Sequence, residues 1–244
     1  MKDYSENFIR LLEKVEDYEY IGLGNPDVNI LFIGKEAAID IEINEDFTHI
    51  KEKLKNLHGS KFNWKSNRFD YSYNPFDLKD LSDTWNNYQQ LYNNIFDEKQ
   101  QNNFSTFLNK VFTTEMSNLP SKTTYNAKAN PFFKRELRLR KEYFLKSEFI
   151  QSFPVVVLAC SDYIVNNDEK REIDEIFKVR FNGEFKEYSR GNWLFNHYNK
   201  DNTKIVIHTR QLSSNVNNAL LIDIGTKIRE HLVNLNLLNE EINK

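Results

Sequence analysis

Asn29-Ile30-Leu31-Phe32-Ile33-Gly34-Lys35-Glu36-Ala37-Ala38 is the stretch that decides the fold. Its run of large apolar residues reads as a strand buried on both faces, which is the habit of strands in a parallel sheet covered by helices. The turn that follows carries polar, reactive side chains. In an open α/β sheet, ligands sit where strands end. A second stretch is built the same way: Lys204-Ile205-Val206-Ile207 runs into His208-Thr209-Arg210-Gln211-Leu212-Ser213.

Outward from these two, the chain alternates. Phe8, Leu11, Leu12 and Val15 give residues 4–18 a helical spacing, and Gly22 to Pro26 read as a turn. Residues 46–57 are expected to be helical, as is a segment from Ser82 or Asp83 to about Ile95 with Trp85, Tyr88 and Leu91 on one face. The aromatic, polar stretch 60–82 reads as a long loop, of a length usually tied to function. Residues 111–116 and 154–160 read as strands, 117–131 as a polar loop, 132–152 as one basic helix and 219–235 as a final amphipathic helix. Residues 168–200 show no clear pattern. The expectation is an α/β fold, a three-layer α/β/α sandwich around a central, mostly parallel four-stranded sheet, in a single domain spanning residues 1–244.

Composition narrows the function classes. With 244 residues and 39% hydrophobic content, the chain can build a sizeable core. No apolar run approaches the roughly 20 residues that span a membrane, and Met1 to Glu6 lack a signal-peptide pattern, so a cytoplasmic monomer is expected. Cys160 is the only cysteine, which excludes an intrachain disulfide and a four-cysteine iron–sulfur cluster. The five histidines have no metal-ligand spacing, so neither metal nor cofactor is expected. The formal net charge of −3 argues against nucleic acid when taken alone. Distribution argues the other way: residues 117–146 hold eight basic side chains, Lys122 among them, against Glu136 and Glu142. That segment reads either as a solvated helix face or as a phosphate-binding surface.

The order of Gly34-Lys35-Glu36-Ala37-Ala38, then Val111-Phe112-Thr113-Thr114-Glu115, then His208-Thr209-Arg210-Gln211-Leu212-Ser213 resembles the signature motifs of the uracil-DNA glycosylase superfamily over roughly residues 20–235. The resemblance implies a glycosylase that flips a nucleotide and hydrolyses its N-glycosidic bond. It puts Gly34 and Glu36 in the motif that holds the attacking water, with Glu36 at the catalytic carboxylate or amide position. A carboxylate there can activate water and stabilise an oxocarbenium-like transition state. Ala37 stands where the family has proline. Ala38 stands where the strict uracil enzymes have a tyrosine that excludes a 5-methyl group.

Glu115 falls at the base-reading asparagine. Ionised, it would only accept hydrogen bonds and would repel uracil O4. It could accept from cytosine N4, and if protonated it could donate to cytosine N3. His208 matches the histidine that donates to base O2, and Leu212 the wedge that fills the vacated stack. Arg210, Ser213, Ser214 and Lys122 are the expected DNA contacts. For the ring that stacks on the extruded base, Phe47, Phe62 and Trp64 are candidates.

The expected reaction is therefore monofunctional base removal. Ala38 and Glu115 together favour a 5-modified cytosine, such as the glucosylated hydroxymethylcytosine of some phage genomes, and a role in antiviral defence. Repair of uracil or another deaminated base, a non-catalytic DNA-binding module, and a small-molecule hydrolase of similar topology are the alternatives. More blandly, Glu36 reads as a surface carboxylate, Glu115 as half of an ion pair with Lys122 or Arg135, and His208 as a structural histidine.

Overall fold

The computed structural model describes residues 4–65, 81–98 and 105–238. It is a mixed α/β fold around one sheet. In chain order the helices are α1 (Glu6–Lys14), α2 (Phe47–Lys55), α3 (Lys61–Lys65), α4 (Asp83–Phe96), α5 (Thr124–Ala129), α6 (Phe133–Lys146), α7 (Glu148–Ser152), α8 (Glu172–Phe177) and α9 (Asn218–Asn234). The strands are β1 (Leu23–Gly24), β2 (Ile30–Gly34), β3 (Phe112–Glu115), β4 (Val155–Leu158), β5 (Arg180–Tyr188), β6 (Asn192–Tyr198) and β7 (Ile205–Thr209).

The strand order is β1-β3-β2-β4-β7-β6-β5. The middle four are mutually parallel, and these are the strands that the aliphatic runs predict. The expected four-stranded sheet is too small: β1 adds antiparallel to β3, and the β5–β6 hairpin adds antiparallel to β7, giving seven strands among the described residues. β1 is two residues long and lies inside the expected turn. The hairpin lies in residues 168–200, where Asn192, Asn196 and His197 are buried among aromatic residues and blur the alternation.

Both faces of the central strands are dry. Leu31, Ile33, Val156 and Leu158 join the core that includes Phe8, Leu11, Phe144, Phe149 and Ile173 from α1, α6, α7 and α8. Their strand neighbours Ile30, Phe32, Val155 and Val157 join the core formed with Tyr88, Leu91, Leu220 and Ile224 from α4 and α9. The alternation follows from the two-residue period of a strand.

Caps set the helix boundaries. Ser82 accepts from the Trp85 N–H at 3.4 Å, and Asn217 from the Ala219 N–H at 2.9 Å. The single helix expected over 132–152 is two, because Ser147 leaves the helix at ψ 111° and its hydroxyl caps Ile150. The loop expected over 117–131 contains α5, capped by Thr123. Of the expected loop 60–82, residues 66–80 lie outside the described residues, and 61–65 form α3. No helix among the described residues is long and apolar enough to cross a membrane.

β2 lies between β3 and β4, so the chain leaves β2 to one side, forms β3, and returns to the other. Connections that diverge in this way leave a crevice beyond the carboxyl end of the strand.

The contact between α4 and α9 depends on a missing side chain. A Cβ on Gly225 would lie 2.6 Å from the Asn94 Cβ and 3.2 Å from its carbonyl carbon. Gly225→Ala should lower stability by about 1–3 kcal/mol, more than the roughly 1 kcal/mol gained in helix propensity. Urea unfolding measures the difference, and an unchanged midpoint would show that the two helices separate without cost.

Candidate active site

β2 and β3 pair in parallel, with Gly34 opposite Glu115. The chain beyond β2 is zipped to the chain beyond β3: Met116 N–H donates to Gly34 O at 2.9 Å, Ser117 N–H to Lys35 O at 2.8 Å and Ser121 N–H to Ala37 O at 2.9 Å. These bonds hold both strand ends against one cavity of about 310 Å³. Gly34, Glu36, Ala38 and Glu115 all line it, so three separately chosen positions of the β2 motif meet the chosen position of β3.

Gly34 is required by space. A Cβ there would stand 2.3 Å from Glu115 Oε2, so the carboxyl group lies directly across the glycine. Burial and the neighbouring Glu36 carboxylate push Glu115 up to about 8, against the pull of Arg140. Arg140 does not pair with that carboxyl group; it donates to the Glu115 carbonyl at 2.9 Å and to the Thr114 hydroxyl at 2.6 Å. The cations considered as partners of Glu115 are engaged elsewhere, Lys122 with Asp40 and Arg135 with Glu136, and no ion pair reaches its carboxyl group among the described residues.

Burial also raises Glu36, while the Tyr163 hydroxyl, Lys35 and Lys128 hold it back down. Lys35 is buried with its ammonium 3.2 Å from the Thr124 hydroxyl, 3.9 Å from Asp162 and 5.0 Å above the Tyr163 ring. At neutral pH Glu115 keeps its proton, and beside it stands Glu36, raised by burial and drawn back by its hydroxyl and ammonium neighbours. Such a pair can run general acid and general base chemistry at the same site.

His208 does not line this cavity. It is 3% exposed inside β7, with its Nε2 2.9 Å from the Ser161 carbonyl and its Nδ1 3.2 Å from the Asn166 amide nitrogen. The same amide nitrogen lies 3.1 Å from His197 Nε2, whose Nδ1 is 2.6 Å from Asp174. Arg171 donates to the Asn166 oxygen at 3.0 Å, which fixes the amide orientation. Both imidazoles therefore accept from Asn166 and donate through their other nitrogen. Trp193 packs against the His208 ring at 4.8 Å. Burial pushes His208 down to about 4, so it is neutral across the physiological range.

The remaining expected contacts are dispersed. Leu212 is fully buried in the core with α4 and α9, which leaves it no exposed surface with which to enter a base stack. Arg210 donates to the Arg190 and Ser214 carbonyls, both at 3.3 Å. Ser213 is half-buried and Ser214 exposed. Lys122 pairs with Asp40 at 2.7 Å. The basic segment is partly neutralised: Lys128 pairs with Asp162, Arg135 with Glu136, Arg138 with Glu142 and Lys141 with Glu172, while Arg140 is buried.

None of Phe47, Phe62 and Trp64 lines the cavity. Trp64 is buried and donates to the Gly22 carbonyl at 3.0 Å, and Phe47 packs on Phe132. Tyr20, His58, Trp85 and Gln211 line it instead. Gln211 lies inside the matched six-residue frame, and Trp85 starts the apolar face of α4, so both carried a signal. Tyr20 and His58 carried none. Among the described residues no cluster of His, Cys, Asp or Glu could hold a metal ion. Compared with known proteins, the chain matches no family model, and no curated protein is similar to it.

The two shifted groups act on stability in opposite directions. Glu115 is raised from its ordinary 4.5, so the unfolded chain loses that proton first and stability falls as pH rises from 4.5 towards 8. His208 is lowered from its ordinary 6.5, so the unfolded chain gains that proton first and stability falls as pH drops from 6.5 towards 4. The two trends oppose one another between pH 4.5 and 6.5. Glu115→Gln should therefore gain on the wild type by roughly 3 kcal/mol between pH 4.5 and 7. Urea titrations at several pH values give the difference directly; a pH-independent difference would mean that the Glu115 carboxyl group titrates normally.

Proposed function

We propose that the protein is a monofunctional DNA glycosylase, a divergent relative of the uracil-DNA glycosylases. The observation that carries this reading is the meeting of Glu36 and Glu115, from two separate strand ends, in one cavity of nucleoside-sized volume. In the proposed reaction Glu36 takes a proton from water as the oxygen attacks C1′ of a flipped nucleotide. The N-glycosidic bond breaks and its electron pair leaves with the base. Glu115 delivers its proton to the ring nitrogen of the departing base, and an abasic site remains. Tyr20 and Trp85 offer aromatic surface to the base, and the Gln211 amide offers a donor to its carbonyl oxygen. That last role falls to Gln211 because both nitrogens of His208 are engaged elsewhere.

The proposed substrate is a 5-modified cytosine, on two grounds. A protonated Glu115 can donate to N3 and accept from N4 of cytosine. Ala38 puts only a methyl group on the cavity wall. Attack on the modified cytosines of phage DNA would serve antiviral defence. One observation favours the uracil reading as well: a neutral carboxyl group donates and accepts, as an amide does, so the repulsion that an ionised Glu115 would meet at uracil O4 is lifted.

Labelled DNA carrying uracil, cytosine, 5-hydroxymethylcytosine or its glucosylated form, incubated with the protein and then treated with hot alkali, separates these readings. Cleavage confined to modified cytosine is the expected result. Cleavage at uracil alone would make this a repair enzyme. Glu36→Gln should lower turnover by about 10²- to 10⁴-fold while leaving DNA binding intact. DNA bound but never cleaved by the wild type would instead indicate a binding module.

A further inference from the structure

Glu36 lines the carboxylate cavity and is partly exposed, yet its Oε2 is buried and has no hydrogen-bond partner. Beside it the buried hydroxyl of Tyr163 is also without a partner. The two are near enough for the hydroxyl to lower Glu36, without meeting the geometry of a full hydrogen bond. Leaving a buried donor or acceptor unpaired is costly, and a small movement would satisfy both.

The fold brings Tyr163 up from the neighbouring strand. The chain leaving β4 stays zipped to β2 through the Ala159 N–H and the Ile33 carbonyl at 2.8 Å, then forms a single turn over Ser161–Tyr163. Tyr163 is 1% exposed, packs edge-on against Phe133 at 5.1 Å and carries the Lys35 ammonium 5.0 Å above its ring. It does not line the cavity, so it acts on a substrate only through Glu36.

Lys35 sets the direction of donation. Lysine has donors only, so the Thr124 hydroxyl accepts from its ammonium at 3.2 Å and keeps its own hydrogen to give. The Thr124 hydroxyl stands against the Tyr163 oxygen, and the Tyr163 hydroxyl against Glu36. Burial and the Glu36 carboxylate raise the Tyr163 phenol, so it stays a donor. The other charged groups facing Glu36 are Lys35, Lys128 from α5, Asp162 from the Ser161–Tyr163 turn and Glu115 from β3. Lys128 and Asp162 pair with one another.

We propose that Tyr163 is a positioning residue, whose hydroxyl donates to Glu36 Oε2 and holds that group as the carboxylate that takes a proton from water. A hydrogen bond to the charged form favours that form. The role rests on the reading of Glu36 as the general base.

NMR titration of the full chain with 13Cδ-labelled glutamate tests it without substrate, the Glu36 signal being the one lost in Glu36→Gln. Tyr163→Phe keeps the ring against Phe133 and Lys35 and removes only the hydroxyl. The Glu36 midpoint should then rise by about one pH unit. Exchange of Tyr163 for 3-fluorotyrosine, a stronger donor of nearly the same size, should lower the midpoint, and this variant carries the test if Tyr163→Phe misfolds. Tyr125→Phe, at an exposed neighbour of Thr124, should leave the midpoint in place. On modified-cytosine DNA, the acid limb of kcat should rise with Glu36 in Tyr163→Phe while KM holds; a tyrosine that only packs would lower kcat equally at every pH. A fixed Glu36 midpoint in folded Tyr163→Phe, or shifts of the same sign in both Tyr163 variants, would overturn the proposal. Midpoints that move as expected in a protein that cleaves no DNA would uphold the contact and remove the glycosylase reading instead.

Discussion

The parallel pairing of β2 with β3 sets Gly34 against Glu115, and the rest of the site depends on that register. Side chains on neighbouring parallel strands stand too close for two full-sized groups when one is a carboxyl group folded over the ladder. Glycine at 34 removes the conflict, and Glu115 is then pressed into the crevice beside Glu36. Burial makes two ionised carboxylates expensive there, so one keeps its proton. A one-residue slip would pair Glu115 with a side chain and dissolve the arrangement.

The same electrostatic economy runs through α5 and α6. Their basic residues look like a nucleic-acid surface when counted along the chain. In space, three of the eight basic residues of 117–146 answer an acid from another segment, Lys122 with Asp40, Lys128 with Asp162 and Lys141 with Glu172, and Arg135 and Arg138 pair within α6. Exposed pairs of this sort add little stability, but the three outside acids halve the +6 of the run to +3. Arg140 turns inward, and its charge is met by backbone and hydroxyl oxygens.

The central strands were legible because β2, β4 and β7 are buried on both faces and therefore read as unbroken aliphatic runs. That pattern also put Glu36 and Glu115 at strand ends, where a crevice was to be expected. The edges were less legible. β5 is largely solvent-exposed, and β6 buries asparagine and histidine, so neither shows a clean apolar period. His208 shows how a small error in a boundary changes a role. Ending the last strand at Ile207 leaves His208 in a loop facing a ligand, but β7 continues to Thr209, pairs His208 with Leu158 and Phe195, and packs the buried ring against Trp193. Leu212 likewise follows its apolar character into the core. Tyr20 and His58 reach the site only through tertiary packing, which no local pattern records.

The line of polar groups from Asp174 through His197, Asn166 and His208 to Ser161 has the outward form of a proton wire. Conduction along such a wire requires every member to receive from one neighbour and give to the next in a single direction. Here the direction reverses at Asn166, whose amide gives to both imidazoles while Arg171 occupies its oxygen. Each histidine passes its own hydrogen away from the centre. The chain is therefore an insulator: it ties the β6–β7 edge to residues 161–174 and cannot carry charge from the protein interior to the carboxylates.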